Sequence, residues 1–416
     1  MKELQSHEHG FSIRLEGVTH LSRSLRQHTS YVSLYIIPVG HYTSFLMDYF
    51  RKDTLGQIGI PAANAQKDAF SIENDAYKTS PSRDHYEAAC RIGPQPGCSN
   101  SLAQAGQFYT TSEVSGSPAI TIGSYHDCQY IGDGVTSEVY RSKTIALKVI
   151  VQTGNIEPHD PFREAKILKL LKKPCIPLLE TFRDQEQRFV LAFPYMPISL
   201  ESLIARGPIP RSSIVKHFRD LFTALHYLHR QGIIHRDIKP SAILLESADG
   251  PAYLSDFGTA WHPELSHYTE PVNQKILDIG TGSYRSPEAL FGDMSYSTAV
   301  DMWAAGAMLA ECCRTPPRTL FESRSAHEDG NQLGLILSIF KTIGSPTRES
   351  WPEAVDFKTP PFEMYQTFEG RKWEDLLPDV EDGFRDIIMS LVIYSSSARA
   401  SASQVLHCEC FSVASV

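Results

Sequence analysis

The stretch His-Arg-Asp-Ile-Lys at 235–239 places two side chains where they could act together on a phosphoryl group. Asp237 is a carboxylate that can accept or orient the proton of an attacking hydroxyl, and Lys239 is a cation that can stabilise charge on the transferring group. A second carboxylate, Asp256, opens an Asp-Phe-Gly turn and is suited to hold magnesium across two phosphates. The order and spacing of these residues indicate phosphoryl transfer from a magnesium-bound nucleotide.

Two features upstream could hold that nucleotide. The glycines of the run 132–139 allow backbone N–H groups to approach phosphates, with Ser137 where a third glycine is usual. A strand follows this run, which excludes a dinucleotide-binding fingerprint, because there the glycines open a helix. Lys148 closes the next strand and Glu164 follows on a predicted helix. A lysine that contacts phosphates needs a carboxylate to orient it, so this pair is predicted to control activity.

Taken together, these motifs resemble those of the eukaryotic protein kinases, from about residue 125 to the C-terminus. Later motifs agree: a Ser-Pro-Glu element ends at Glu288, and Arg399 matches the arginine that pairs with that glutamate in the family. The stretches 284–288 and 343–352 resemble the cyclin-dependent and mitogen-activated kinase group, with the cyclin-dependent kinases as the nearer match. Lys239 resembles the lysine of serine/threonine kinases rather than tyrosine kinases.

The resemblance implies ATP and Mg²⁺ as cofactors, with Asp237 and Lys239 as catalytic residues and Asp256 as the metal ligand. It implies nucleotide contacts from the following residues: Ile131, Gly132, Gly134, Val139, Ala146, Lys148, Glu164, Pro194 and Met196. Phe193 would close the back of the adenine pocket. The Met196 amide and the Pro194 carbonyl would meet the purine edge, and proline lacks only an N–H that this contact does not use.

Hydrophobic periodicity predicts an α+β, two-lobed fold with a cleft between the lobes. A small β-rich N-lobe is expected over 120–196 and a larger helical C-lobe over 197–416. Strands are predicted near 130–132, 138–140, 144–150 and 189–193, and helices at 162–173, 214–230, 299–312, 332–344 and 383–392.

Residues 1–119 are predicted to be a mostly disordered N-terminal extension. The stretch 62–117 is rich in Ser, Pro, Gly, Asn and Gln, and cannot bury enough apolar surface to offset its ordering entropy. The histidines of this extension are irregularly spaced, which favours solvated side chains over a metal site. A regulatory or targeting tail is the alternative role.

Charge and cysteine content exclude several classes. The net charge of −9 argues against a nucleic-acid or anionic-membrane partner. The apolar stretch 31–50 contains Asp48 and is not predicted to span a membrane. Eight cysteines without a C-x-x-C pair indicate reduced thiols. We therefore expect a soluble monomer in the cytoplasm, the nucleus or both.

Ala242 is the main departure from the family pattern, because an asparagine there would be the second magnesium ligand. Losing one preorganised contact costs on the order of 10²–10³ in turnover. The chain is thus either a kinase that works with one well-held magnesium or a pseudokinase scaffold. The survival of the other site residues favours the kinase: Lys148, Glu164, Asp237, Lys239 and Asp256.

Other departures concern regulation. The helix at 160–166 lacks the cyclin-contact sequence, so no obligatory cyclin is expected. Within the activation segment, 256–288, the usual phosphothreonine is replaced by the stretch 275–278. We expect Asp278 to supply a fixed negative charge to Arg236, which would make the enzyme active without phosphorylation of this segment.

The chain shares these features with fungal kinases that activate cyclin-dependent kinases as single subunits. The resemblance therefore implies a protein substrate, specifically the activation loop of a cyclin-dependent kinase, and a role in the cell cycle. Thr259, directly after the Asp-Phe-Gly turn, is β-branched, which in the family is associated with threonine acceptors.

Overall fold

The computed structural model describes residues 120–152, 156–323, 332–363 and 366–411. The prediction of a disordered extension over 1–119 lies outside these residues. The described part has the predicted α+β organisation, with a six-stranded sheet and one helix in the N-lobe, and helices with a three-stranded sheet in the C-lobe.

The N-lobe sheet is antiparallel throughout, in the order β1-β2-β3-β4-β6-β5. Its strands are β1 (Ile120–Ile122), β2 (Tyr125–Asp133), β3 (Ser137–Ser142), β4 (Ile145–Ile150), β5 (Glu180–Arg183) and β6 (Phe189–Pro194). Leu147 and Val149 of β4 are fully buried against Val190 and Ala192 of β6. This alternation fixes the register, because a shift by one residue would turn the apolar side chains outward.

The connection between β3 and β4 is short. Ser142 pairs with Ile145, which leaves a two-residue connection. Lys143 there has a φ of 53°, the left-handed conformation that short hairpin turns require. The four predicted strands are confirmed.

One helix, α1 (Pro161–Leu170), packs beside this sheet. Asp160 caps it, accepting hydrogen bonds from the backbone N–H groups of Phe162 and Arg163. The predicted end at residue 173 was three residues too late. Leu171 is already extended, and Lys173 precedes a proline, a position that disfavours helical backbone.

The C-lobe is mostly helical, and all the helices predicted there are confirmed at closely matching bounds. Its helices are α2 (Leu200–Ala205), α3 (Arg211–His229), α4 (Pro287–Leu290), α5 (Ala299–Cys313), α6 (Leu333–Ile343), α7 (Trp373–Leu376), α8 (Asp382–Leu391) and α9 (Ala402–Leu406). A small sheet of β7 (Ile198–Ser199), β8 (Ile243–Leu245) and β9 (Ala252–Leu254) faces the cleft. Among the described residues, no helix is long and apolar enough to cross a membrane.

Helix α5 is the centre of this lobe. Trp303 is fully buried on it, and a Cβ at Gly306 would lie 2.6 Å from the Cβ of Leu391 on α8. The glycine therefore permits the close approach of the two helices.

The predicted ion pair between Glu288 and Arg399 is confirmed. The Arg399 Nη1 lies 2.7 Å from Glu288 Oε1, and the two side chains are 0% and 1% exposed. Arg399 also donates to the carbonyls of Ala299 and Ile393. The pair thus ties the end of the activation segment to the start of α5 and to the loop after α8.

Candidate active site

Lys148, Glu164 and Asp256 meet in the cleft from three different elements. Lys148 of β4 donates to both carboxylate oxygens of Glu164 on α1, at 2.8 and 2.9 Å, and to Asp256 Oδ1 at 3.1 Å. The Lys148 charge holds the pKa of the Asp256 carboxyl well below its usual range. The Asp256 side chain keeps 46% of its surface exposed, so it is ionised and accessible from the cleft.

The Asp-Phe-Gly turn is held from both sides. Asp256 has a φ of 61°, and the following Phe257 is fully buried with its ring 4.9 Å from that of His235. The Gly258 carbonyl accepts a hydrogen bond from the Asp160 backbone N–H at 3.1 Å. The turn that carries Asp256 is thereby linked to the start of α1, which carries Glu164.

The Asp237 carboxylate is fixed by two donors. Lys239 Nζ lies 2.6 Å from its Oδ2, and the Thr281 hydroxyl donates to its Oδ1 at 2.6 Å. Lys239 Nζ also lies 3.3 Å from Thr281 Oγ1. A carboxylate held in this way can orient an incoming hydroxyl, with the lysine beside it to stabilise transferring charge.

The catalytic loop is supported from beneath by one buried carboxylate. Asp301 of α5 accepts hydrogen bonds from the backbone N–H groups of His235 and Arg236 at 2.9 and 2.8 Å, and from His229 Nε2 at 2.9 Å. Arg236 has a φ of 72°, which is unfavourable for a residue with a side chain. The Asp301 contacts offset this strain immediately before Asp237.

The glycine-rich turn closes the other side of the cleft. The Gly134 N–H donates to the Ser137 carbonyl at 2.7 Å. A Cβ at Gly132 would meet no atom within 4 Å, so this backbone borders open space. Ile131 is exposed on the same strand. Such a turn fits a polyphosphate beneath it.

The part of the cleft that is predicted to receive the adenine base is formed by β3, β4 and β6. Val139 pairs with Lys148, and Ala146 pairs with Phe193, which is half-buried. The Tyr195 N–H donates to the Thr144 carbonyl at 2.8 Å, so the neighbouring Pro194 lies in a non-hydrogen-bonded pair and turns its carbonyl away from β4. Met196 follows in the link to β7.

Ala242 is almost fully buried, at 1% exposure. Its carbonyl accepts from both the N–H and the hydroxyl of Ser255, at 2.8 and 2.9 Å, and its own N–H donates to the Lys239 carbonyl at 3.0 Å. Backbone groups therefore hold the catalytic loop to the strand before Asp256. In the described ranges no group of three or more His, Cys, Asp or Glu side chains could hold a metal ion. Asp256 stays the residue predicted to hold magnesium, with its side chain 46% exposed.

Two arginines converge on Glu270 in the activation segment. Arg236 binds both Glu270 oxygens, with Nη2 at 3.0 Å from Oε1, and Arg163 Nη1 lies 3.4 Å from the same oxygen. Asp278 instead pairs with Arg285 at 2.6 Å and is 79% exposed. The prediction that Asp278 supplies the charge facing Arg236 is therefore wrong, because the segment folds so that Glu270 occupies that place.

The structure brings Lys148, Glu164 and Asp256 into contact, and Asp237 into contact with Lys239. The other residues predicted to bind the nucleotide lie on β2, β3, β4 and β6 and in the links that follow β2 and β6. Their individual roles stay predictions. Thr281 and Glu270 were missed as site residues by the sequence analysis. Thr281 could have been found from its place in the Gly-Thr-Gly turn before the Ser-Pro-Glu element. No local pattern marks Glu270.

Comparison with known proteins gives a family that agrees with the phosphoryl-transfer chemistry expected of this site. Residues 125–411 match the family model described as "Protein kinase domain". The chain is 36% identical to the serine/threonine-protein kinase csk1 of Schizosaccharomyces pombe over 285 residues, covering 66% of this chain and 90% of that one. It is 30% identical to cyclin-dependent kinase 7 of Xenopus laevis over 302 residues, covering 69% and 81%.

Proposed function

This chain belongs to the protein kinase family and is an ATP-dependent serine/threonine kinase, and from that premise we propose that it phosphorylates a threonine in the activation loop of a cyclin-dependent kinase. The observation that best supports catalysis is the fixed Asp237 carboxylate, with Lys239 and Thr281 both within hydrogen-bond distance of it.

The chain's own residues divide the work of phosphoryl transfer. Lys148, oriented by Glu164, would position the nucleotide phosphates, and Asp256 would hold magnesium. The metal would supply positive charge beside the phosphates. Asp237 orients the substrate hydroxyl and receives its proton, while Lys239 stabilises the charge on the transferring group.

Catalysis is favoured over the pseudokinase alternative by the state of the loop around Ala242. The backbone hydrogen bonds of Ala242 to Ser255 and Lys239 are formed, so the loop geometry does not depend on an asparagine side chain. The substitution removes one metal ligand and leaves Asp237, Lys239 and Asp256 in a working arrangement.

The threonine preference rests on Thr259. Its side chain is buried, and its hydroxyl donates to the His235 carbonyl at 3.1 Å, which fixes the β-branched side chain behind the catalytic loop. The choice of a cyclin-dependent kinase as substrate rests on the resemblance to fungal single-subunit activating kinases. The relatives' names state only that they are themselves kinases.

We also propose that the enzyme acts as a monomer without a cyclin. The Lys148–Glu164 pair, formed within the single chain at 2.8 Å, supports a placement of Glu164 that does not depend on a partner. The proposal further places the protein in the cytoplasm, the nucleus or both, without nucleic-acid or membrane partners.

Phosphate transfer from labelled ATP and magnesium to a cyclin-dependent kinase tests this function, with Asp237→Asn as the control. We expect transfer by the native chain that is lost in the variant. Activity that is gained only in Ala242→Asn would show the native chain to be a scaffold.

A pair of peptides that differ only in a serine or threonine acceptor tests the acceptor choice. We expect faster transfer to threonine, and a preference for serine would contradict the role given to Thr259.

A further inference from the structure

Five buried side chains fasten the activation segment, and we call them the clamp: Arg163, Arg236, Glu270, Lys275 and Tyr296. None is more than 6% exposed. Arg163 lies on α1 next to Glu164, and Arg236 lies in the catalytic loop next to Asp237. Both lobes thus contribute to the clamp, and each does so beside a residue of the active site.

We infer that Glu270 and Lys275 are positioning residues that hold this segment in its working shape and take the place of an activating phosphate. The inference rests on the kinase function proposed above, and adds that no modification of the segment is needed.

Both oxygens of the Glu270 carboxylate are used. Oε2 accepts from Arg236 Nη1 and from the Ile276 backbone N–H at 3.1 Å, and Oε1 accepts from Arg236 Nη2 and Arg163 Nη1. Burial alone would raise the pKa of this carboxyl, but the hydrogen bonds and charge of Arg236 bring it below its usual value. A permanent anion that binds two guanidinium groups supplies the contacts a phosphate would make there.

Lys275 holds the part of the segment that follows Glu270, and it does so through backbone carbonyls and aromatic rings. Its ammonium donates to the carbonyl of Tyr296 at 2.9 Å and to that of Val272. It also lies 5.0 Å from the ring centre of Trp261 and 5.1 Å from that of Tyr296. The Lys275 backbone N–H donates to the Met294 carbonyl at 2.9 Å.

Tyr296 connects the two halves of the clamp. Its hydroxyl accepts a hydrogen bond from Arg236 Nη1 at 3.1 Å and donates to the Ile276 carbonyl at 2.7 Å. Ile276 is therefore held by Glu270 through its N–H and by Tyr296 through its carbonyl.

Lys275 and Ile276, which the clamp holds, lie just before the part of the segment that contacts the Asp237 carboxylate. Ile279 is buried against Trp261 and Tyr296, and Thr281 follows with its hydroxyl on Asp237. Releasing the clamp would free Thr281 and Arg236 together. None of the five clamp residues lies on the glycine-rich turn or on β4, so turnover should fall more than nucleotide affinity.

The test uses the full chain made in bacteria and shown by mass to be unphosphorylated. We expect it to transfer phosphate at a rate that phosphatase treatment does not change. Glu270→Gln keeps the size of the side chain and removes its charge, and should lower kcat by about 10²-fold, the usual cost of one preorganised contact. Lys275→Met should also lower kcat. The Kd for ADP should stay within about threefold in both, because an effect on positioning spares ground-state binding.

Glu270→Asp, Glu264→Gln and Asp278→Asn serve as comparisons. The aspartate should restore part of kcat. The other two remove exposed carboxylates of the same segment and should keep the native rate. If Glu270→Gln does not fold, Tyr296→Phe replaces it in the test, because this change removes only the bridging hydroxyl. A lowered kcat with an unchanged Tm would then support the positioning role of the clamp.

Native kcat in folded Glu270→Gln and Lys275→Met, or in Tyr296→Phe where Glu270→Gln does not fold, would overturn the inference while the kinase function stands. So would a native chain that gains activity only after its segment is phosphorylated, or a loss of activity in Asp278→Asn alone. A native chain that phosphorylates no protein under any condition would instead remove the proposed function.

Discussion

An asparagine at position 242 would both order the catalytic loop and bind metal. With Ala242 in its place, these two contributions can be considered separately. The ordering comes from backbone groups, since the Ala242 carbonyl binds Ser255 twice. The metal contribution is removed with the side chain. We therefore expect the residue to affect how tightly magnesium is held rather than whether the loop is formed.

Ala242→Asn should consequently act through the metal. We expect the magnesium concentration for half-maximal activity to fall and turnover to rise by about tenfold or more, because one preorganised ligand is restored. Initial rates over a magnesium titration measure both values. Ser241→Asn, one position earlier, is the matched control, and an unchanged magnesium dependence in Ala242→Asn would contradict the assignment.

The contact between Lys148 and Glu164 was predictable from the motifs that carry the two residues, and the structure forms it at 2.8 Å. The partner of Arg236 was not predictable. Glu270 and Asp278 are both acidic residues of one long loop, and only the path of the backbone decides which carboxylate is buried. That path depends on the anchoring of Lys275 between two rings distant in sequence.

At the scale of elements, α5 and α8 approach closely at Gly306. Gly306→Ala would place a methyl group 2.6 Å from the Leu391 Cβ, both of them backbone-attached atoms that cannot rotate away. We expect the free energy of unfolding to fall by about 1–3 kcal/mol, the typical cost of overpacking. Chemical denaturation measures it.

Leu391→Ala is the partner change for a double-mutant cycle with Gly306→Ala. The Cβ of residue 391 remains in Leu391→Ala. The cycle should therefore recover only the part of the lost unfolding free energy that comes from the Leu391 atoms beyond Cβ. A stabilised Gly306→Ala, as helix propensity alone predicts, would show that the helices can separate freely.

Helix α3 should make stability depend on pH through His217. This side chain is 1% exposed, its Nε2 lies 2.9 Å from the Ala248 carbonyl, and its Nδ1 has no hydrogen-bond partner among the described residues. Burial lowers the pKa of His217 below the ordinary 6.5. Above that pH the imidazole is neutral in both states. Between 6.5 and the lowered pKa of the folded state, only the unfolded chain takes up the proton, so stability falls as pH falls through this range.

The expected loss is up to about 1.4 kcal/mol per pH unit for this one proton. His217→Gln can keep the hydrogen bond to Ala248 and cannot titrate. Unfolding measured from pH 7 to 5 should therefore show a shallower slope in the variant, and equal slopes would exclude His217 as the cause.

The longest elements were predictable because their apolar side chains repeat with a clear period. The strand β5 was missed, since its side chains are only partly buried and its pairing with β6 defines it. The end of α1 was placed too late, since the apolar pattern continues into residues that the following proline excludes from a helix.

For the whole molecule, the Glu288–Arg399 pair joins parts of the C-lobe far apart in sequence. Arg399→Met should destabilise the protein by about 3–5 kcal/mol, because it leaves a buried carboxylate unpaired. Thermal unfolding of the isolated chain measures it. The double variant Glu288→Gln/Arg399→Met removes both charges and should be more stable than Arg399→Met, and a double variant that is less stable would contradict this explanation.

A carboxylate built into the chain at Glu270 also has a consequence for signalling. A phosphate records that another kinase has acted, and a phosphatase can erase the record. The side chain of Glu270 is made when the protein is synthesised and lasts as long as the protein does. An enzyme switched on in this way would transmit no signal through its activation segment, so we expect its output to be set by other means, such as its abundance and its access to substrates.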